Sequence, residues 1–202
     1  MFRKTSKWWA ILAIVVVCAI TVPGAAAEVA NSAAGGFTVK ITSQIHGAQA
    51  DVYTKLLHIG EWWSSTHTYS KDAHNLSIEE RPGGCFCEKF SEGGGVRHME
   101  VVFVTPGKVL RMSGGLGPLQ ALGVAGSLTF ALSPGETGTR LDVTYAVGGY
   151  SEQGLNLIAP LVDQVLGEQV TRLKNLVERG DPSKNAPEPK ADAEKGGSEK
   201  PK

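Results

Sequence analysis

The chain has 202 residues, 42% of them hydrophobic, and its 20 basic residues are balanced by 20 acidic ones. That is enough apolar material for one sizeable core, and the balance excludes the basic footprint by which nucleic-acid-binding proteins are recognised. The three cysteines match no zinc spacing, because Cys85-Phe86-Cys87 lacks the two intervening residues of a knuckle and no second pair exists.

Residues 1–27 open with Arg3, Lys4 and Lys7, continue as an apolar run over 8–22, and end in Pro23, Gly24 and three alanines. An apolar run of about 15 residues is short of the roughly 20 that span a bilayer, so this reads as a cleaved secretory signal. Membrane contact is expected only if the signal stays uncleaved as an anchor. Cys18 sits inside the run after Val17, which is not small, so no lipoprotein site is expected. Removal of this segment takes away three basic residues and no acids, leaving 17 against 20, a net charge of −3 with histidines neutral. Residues 28–36 are small and polar, a spacer. Residues 181–202 hold no large apolar side chain and cannot offset their ordering entropy, so a disordered tail is expected there. One domain remains, 37–180.

Within it, Phe37, Val39, Ile41 and Ile45 alternate with polar residues, a strand with one buried face. Val52, Leu56 and Leu57 lie at helical spacing in a short helix over 48–57, followed by a second short turn or helix through Trp62 and Trp63. Strands are predicted over 76–80, 85–90, 96–104, 109–112, 126–132 and 139–147, separated by turns such as Arg81-Pro82-Gly83-Gly84. Alternation turns Leu128, Phe130 and Leu132 inward, facing Leu141, Val143 and Tyr145. Residues 114–122 are too glycine-rich for a strand core and too apolar for an ordinary loop, a candidate lip over a hollow. Over 155–179 apolar residues recur in steps of three and four, so a long helix closes the domain. Pro160 places its regular start near Ala159, and Gly180, Asp181 and Pro182 stop it.

Glu88, His98 and Glu100 are the cluster suited to acid or base work. If the 85–104 hairpin is symmetric about Gly93, Glu88 lies opposite His98 and Phe86 opposite Glu100, all on one face. Two readings of that face stay open. Either it lines a cavity and Glu88 with His98 forms a general-base pair, or it meets solvent and Cys85, Cys87, Met99, Val101 and Phe103 form the buried face. On a flat strand Cys85 and Cys87 would stand about 7 Å apart at their Cα atoms, so two free thiols are expected rather than a strained bridge. A metal site from Cys85, Cys87 and His98 with His67 or His74 fits no known pattern, and no metal or cofactor is expected. Trp62 and Trp63 are expected in the core and at the cavity rim, with one indole reaching a hydrogen-bond partner.

The 37–45 strand running into the 48–57 helix, the Trp62-Trp63 pair, the Arg81-Pro82-Gly83-Gly84 turn, the Val104-Thr105-Pro106-Gly107-Lys108-Val109-Leu110 stretch and the closing helix resemble, in order and spacing, the SRPBCC superfamily (START-like, Bet v 1-like). The branch most similar is that of polyketide cyclases/dehydrases and ATPase-activator homologues. The resemblance implies an α+β helix-grip fold: a seven-stranded antiparallel sheet wrapped around the long C-terminal helix, with two short helices after the first strand and a cavity between sheet and helix. The cavity would be lined by Trp62, Trp63, Ile78, Phe86, Leu116, Leu119, Leu128, Phe130, Tyr145, Leu161 and Val165. The expected function is that of an exported, monomeric binder of a small or medium apolar molecule. The alternatives are a cyclase- or hydratase-like enzyme using Glu88 and His98, and an envelope protein-interaction module with a collapsed cavity.

Overall fold

A computed structural model describes residues 26–184. It is an α+β structure in which one curved antiparallel sheet holds a long C-terminal helix. In chain order the elements are β1 (Ala26–Ala33), β2 (Gly36–Ile45), α1 (Gln49–Leu57), β3 (Leu76–Ile78), β4 (Cys85–Lys89), β5 (Gly95–Thr105), β6 (Val109–Gly114), β7 (Gly123–Gly135), β8 (Gly138–Tyr150) and α2 (Ala159–Arg179). The sheet order is β1-β2-β8-β7-β6-β5-β4-β3.

The sheet has eight strands, not seven. The additional strand is β1, formed by residues expected to be the end of the signal and a spacer, and it pairs antiparallel with β2 from Ala26↔Thr42 to Ala33↔Gly36. Its only large apolar residue is Val29, so hydrophobic alternation could not announce it. Backbone pairing to the open edge of β2 makes it a strand. The remainder of the signal reading, residues 1–25, lies outside the described residues, as does the tail from residue 185. At the start of the tail, Asn175 and Arg179 donate to the carbonyls of Pro182 and Lys184, at 3.5 and 3.0 Å, so the chain still follows α2 there.

The alternation in β2, β7 and β8 buries Phe37, Val39, Ile41, Ile45, Leu128, Phe130, Leu132, Leu141, Val143 and Tyr145 in one core. Each such side chain contributes about 1.5–3 kcal/mol when fully buried. α2 starts at Ala159 with Pro160 in its first turn, where the missing amide proton costs nothing. It ends at Gly180, whose φ of 71° lets its amide close back on the Leu176 carbonyl at 2.9 Å. α2 packs most closely on β1 and β2, so the sheet edge made by β3, β4 and β5 stands away from the helix. That offset opens a hollow.

The β4–β5 hairpin corrects the symmetric register. Glu88 pairs with Val96 and Cys87 with Arg97, but Phe86 pairs with Met99, so His98 is an extra residue in β5. A bulge of one residue reverses which side chains point inward beyond it. Before it Phe86, Glu88 and His98 face the interior, and after it Met99 and Val101 do. In β4 the first reading holds, with Phe86 and Glu88 inward and the cysteines on the other face; in β5 it holds for His98, and the second holds only for Met99 and Val101. Glu100 is turned out to an ion pair with Arg97 at 3.0 Å, and Phe103 is exposed beyond a second register shift between Val101 and Phe103. The thiols are also corrected. Cys85 and Cys87 are bridged, with Cα atoms 5.3 Å apart rather than the about 7 Å of a flat strand.

Candidate functional site

The hollow is a cavity of about 540 Å³. One wall is the start of α2, where Ile158, Leu161, Val162, Val165 and Leu166 project. A second is the 3-10 turn Gly117–Ala121 with its flanks, giving Leu116, Pro118, Leu119 and Leu122. This is the apolar, glycine-rich stretch that reads as a lip. The third comprises Trp63, Thr66, His67, Thr68 and Tyr69, and the floor is Leu76 of β3, Phe86 of β4 and His98 of β5. Leu161, 63% exposed, and Tyr69, 50% exposed, stand at the surface end.

Four polar side chains tie these walls. Gln169 of α2 is buried; its Oε1 accepts the Ser64 amide at 2.7 Å and its Nε2 meets His67 Nδ1 at 3.0 Å. One turn on, Arg172 Nε donates to the Trp62 carbonyl at 2.8 Å. The lip is fixed by Tyr145, whose hydroxyl accepts the Leu116 amide at 3.1 Å and reaches the Gly114 carbonyl at 3.3 Å. Burial pushes that phenol up to about 12, so it stays protonated. The tyrosine ring fits only because position 126 is glycine: a Cβ there would stand 2.5 Å from Tyr145 Cε2. Gln120 also donates to the Arg97 carbonyl, tying the lip to β5.

At the floor, His98 Nε2 and Glu88 Oε2 are 3.0 Å apart, and the two residues are 5% and 1% exposed. Glu88 also accepts the Tyr69 amide at 3.2 Å and the Ser70 amide. Burial by itself would raise the Glu88 carboxyl, but the bonds from Ser70, His98 and Tyr69 together outweigh it and hold the group below the usual carboxylate range. For His98 burial is the larger influence and lowers its affinity for a proton, with Glu88 opposing. The pair is thus a carboxylate beside a neutral imidazole. Phe86 packs on the imidazole at 5.1 Å between ring centres, Tyr69 stacks on it at 6.0 Å, and Nδ1 is buried with no hydrogen-bond partner among the described residues.

Of the residues expected to line a cavity, Trp63, Phe86, Leu116, Leu119, Leu161 and Val165 do so. Trp62, Ile78, Leu128, Phe130 and Tyr145 do not. Trp62, Leu128, Phe130 and Tyr145 are buried in the core and Ile78 packs against it, because the hollow lies to one side of the sheet rather than over its centre. Both indoles find acceptors, Trp62 at the Leu56 carbonyl (3.3 Å) and Trp63 at the His67 carbonyl (3.1 Å). The wall of Thr66, His67, Thr68 and Tyr69 was missed, since a polar loop carries no periodicity. Gln169 left a readable signal, a lone glutamine within the apolar stripe of α2 between Val165, Leu166, Val170 and Leu173. Among the described residues no three His, Cys, Asp or Glu side chains converge as a metal site would require. The bridged cysteines occupy the face of β4 opposite Phe86 and Glu88.

No family model and no curated protein matches the sequence. Solved structures do resemble it. The di-domain ARO/CYC StfQ from the steffimycin biosynthetic pathway has a TM-score of 0.49 at 16% identity, over 73% of this chain and 52% of that one. The Aha1 dimer from Colwellia psychrerythraea has a TM-score of 0.49 at 16% identity, over 71% and 97%. An uncharacterised protein from Rhizobium leguminosarum has a TM-score of 0.51 at 18% identity, over 77% of this chain and 98% of that one. At such identity the likeness is one of fold, and the architecture of a sheet around a C-terminal helix is shared with the Rhizobium protein.

Proposed function

We propose that the protein is an exported, monomeric START-like domain of the SRPBCC type that binds a small or medium apolar molecule between its sheet and C-terminal helix. The observation that carries this reading is the cavity of about 540 Å³, walled mostly by aliphatic and aromatic side chains, with polar groups from Thr66, His67, Thr68 and His98. Ligand pockets typically measure about 300–1,000 Å³ and bind through apolar burial, with a few polar groups setting orientation. Support for export comes from the composition of residues 1–27 and from the Cys85–Cys87 bridge, which an oxidising compartment favours.

The test is native mass spectrometry of the protein isolated from its exported compartment without detergent, together with titration by the apolar fluorophore phenylnaphthylamine. Saturable uptake is expected, and Val162→Trp, which fills the cavity from α2, should abolish it. Absence of both an added mass and dye uptake would sink the reading. A second reading, acid–base catalysis of the cyclase or hydratase kind, is favoured by one observation: His98, paired with the buried Glu88, borders the cavity. It requires that a bound molecule leave chemically changed, which the same mass spectra would reveal on incubation.

A further inference from the structure

Resting on that reading of the cavity, we propose that the Cys85–Cys87 bridge is a reversible thiol–disulfide exchange site. A dithiol opens it, and its state sets the depth of the cavity floor at Phe86.

Position and backbone geometry carry the argument. Cys85 and Cys87 are half-buried on the outer face of β4, while Phe86 between them is 1% exposed on the inner face. Ser77 of β3 and Arg97 of β5, which flank Cys87 in the sheet, are exposed, so that face is open to a reagent from solvent. Closing a loop of three residues restricts the unfolded chain less than a longer bridge would, so this one stabilises little. Bridges open to solvent are the labile ones. What the bridge does control is the pleat of β4. It holds its Cα atoms 5.3 Å apart, against about 7 Å over the same two steps of a flat strand. Successive Cα atoms stay about 3.8 Å apart, so the shorter span lifts the middle one by about 1 Å toward the side its own side chain takes. That middle residue is Phe86, on the cavity floor, packed on Trp63 at 6.0 Å and on His98 at 5.1 Å between ring centres. The closed bridge thus presses the floor inward, and the open one lets it draw back.

In the exchange a thiolate of the dithiol attacks one sulfur of the bridge, forming a mixed disulfide and releasing the other cysteine. The dithiol's second thiolate then closes its own disulfide and frees the remaining cysteine. Two electrons and two protons pass to Cys85 and Cys87, and the dithiol is oxidised. A floor about 1 Å lower takes from a ligand of fixed size roughly one methylene's worth of apolar contact, about fourfold in affinity.

The experiment treats the native full chain with dithiothreitol, counts the thiols at Cys85 and Cys87 by alkylation and mass spectrometry, and titrates phenylnaphthylamine in both states. Both thiols are expected to appear while the circular dichroism stays native, and to disappear again when an oxidised dithiol is supplied. The dye should bind the reduced protein about fourfold more weakly. The double variant Cys85→Ser, Cys87→Ser should bind like the reduced form and ignore dithiothreitol, which separates the bridge from any other action of the reagent. A bridge that yields only when the protein unfolds, or equal dye affinity in the two states, overturns the inference while the cavity stands. Failure of the dye to bind in either state overturns the cavity reading, and this inference with it. Should the double variant not fold, the wild-type thiol count and affinity ratio decide alone.

Discussion

Replacing Gln169 with leucine tests whether the cavity wall is held by α2. The glutamine is 1% exposed and accepts the Ser64 amide at 2.7 Å while meeting His67 Nδ1 at 3.0 Å. Leucine has nearly the same volume, so the variant opens no void and isolates the polar ties. His67 is partly exposed and regains water, but the Ser64 amide is stranded inside the protein. An orphaned buried donor costs about 1–3 kcal/mol, and the added apolar burial returns part of it, so a net loss of about 2 kcal/mol is expected. For a domain of this size that lowers Tm by about 4–8 °C. The wall bearing Trp63, Thr66 and His67 also loses its tie to Gln169, while Arg172 on the Trp62 carbonyl remains. Phenylnaphthylamine affinity should therefore fall several-fold. The measurements are urea unfolding followed by tryptophan fluorescence, and dye titration. The control is Thr171→Ala, an exposed neighbour that bonds only the Gly167 carbonyl of its own helix at 2.9 Å and should change stability by no more than about 0.5 kcal/mol. A Gln169→Leu protein as stable as the control, with unaltered dye binding, would refute the reasoning.

Stability should fall in two steps on acidification. Because the His98 proton affinity is lowered in the fold, the unfolded chain protonates first, so stability declines as pH drops below about 6.5 toward the folded value. Because the Glu88 carboxyl is also held low, what it contributes is present above about pH 4.3 and is lost as pH falls through its folded value. Urea midpoints across pH should show both declines, His98→Phe should remove the upper one, and a flat wild-type profile contradicts the assignment. Tyr145→Phe removes the hydroxyl that ties Leu116 and Gly114. It should cost about 1 kcal/mol and speed dye dissociation from under the lip, which stopped-flow measurement checks. Gly126→Ala places a Cβ 2.5 Å from Tyr145 Cε2 and 2.9 Å from the Gly114 carbonyl, whereas Gly123→Ala meets nothing closer than 3.7 Å. Thermal unfolding should show the former losing about 1–3 kcal/mol more than the latter, and equal melting temperatures would contradict the close approach.

The parts of the site that were legible in the sequence are those where one face of an element is buried along its whole length. The stripe of α2, the alternation in β2, β7 and β8, and the apolar, glycine-rich lip all come from that requirement. The hairpin of β4 and β5 was legible only as a pair of strands. Phe86, Glu88, His98, Met99 and Val101 all face inward, a pattern that no regular alternation permits. It becomes intelligible once His98 is seen as an unpaired residue, and a bulge exists only relative to the partner strand. β1 was illegible for a different reason, since Val29 is its only large apolar side chain and its pairing with β2 is made by the backbone.

The sequence by itself determined the class and order of the elements from β2 onward, the start and stop of α2, and the core face of β2, β7 and β8. Burial of one face imposes a period, and proline and glycine mark its ends. Only the tertiary structure decided where the cavity lies, because that follows from α2 settling toward β1 and β2 and standing off the β3–β5 edge. It likewise decided that Glu88 meets His98, that Gln169 and Arg172 hold the opposite wall, and that His98 Nδ1 is left with no hydrogen-bond partner among the described residues. Each is a contact between residues distant in the chain or displaced by a bulge, and no local pattern encodes such distances.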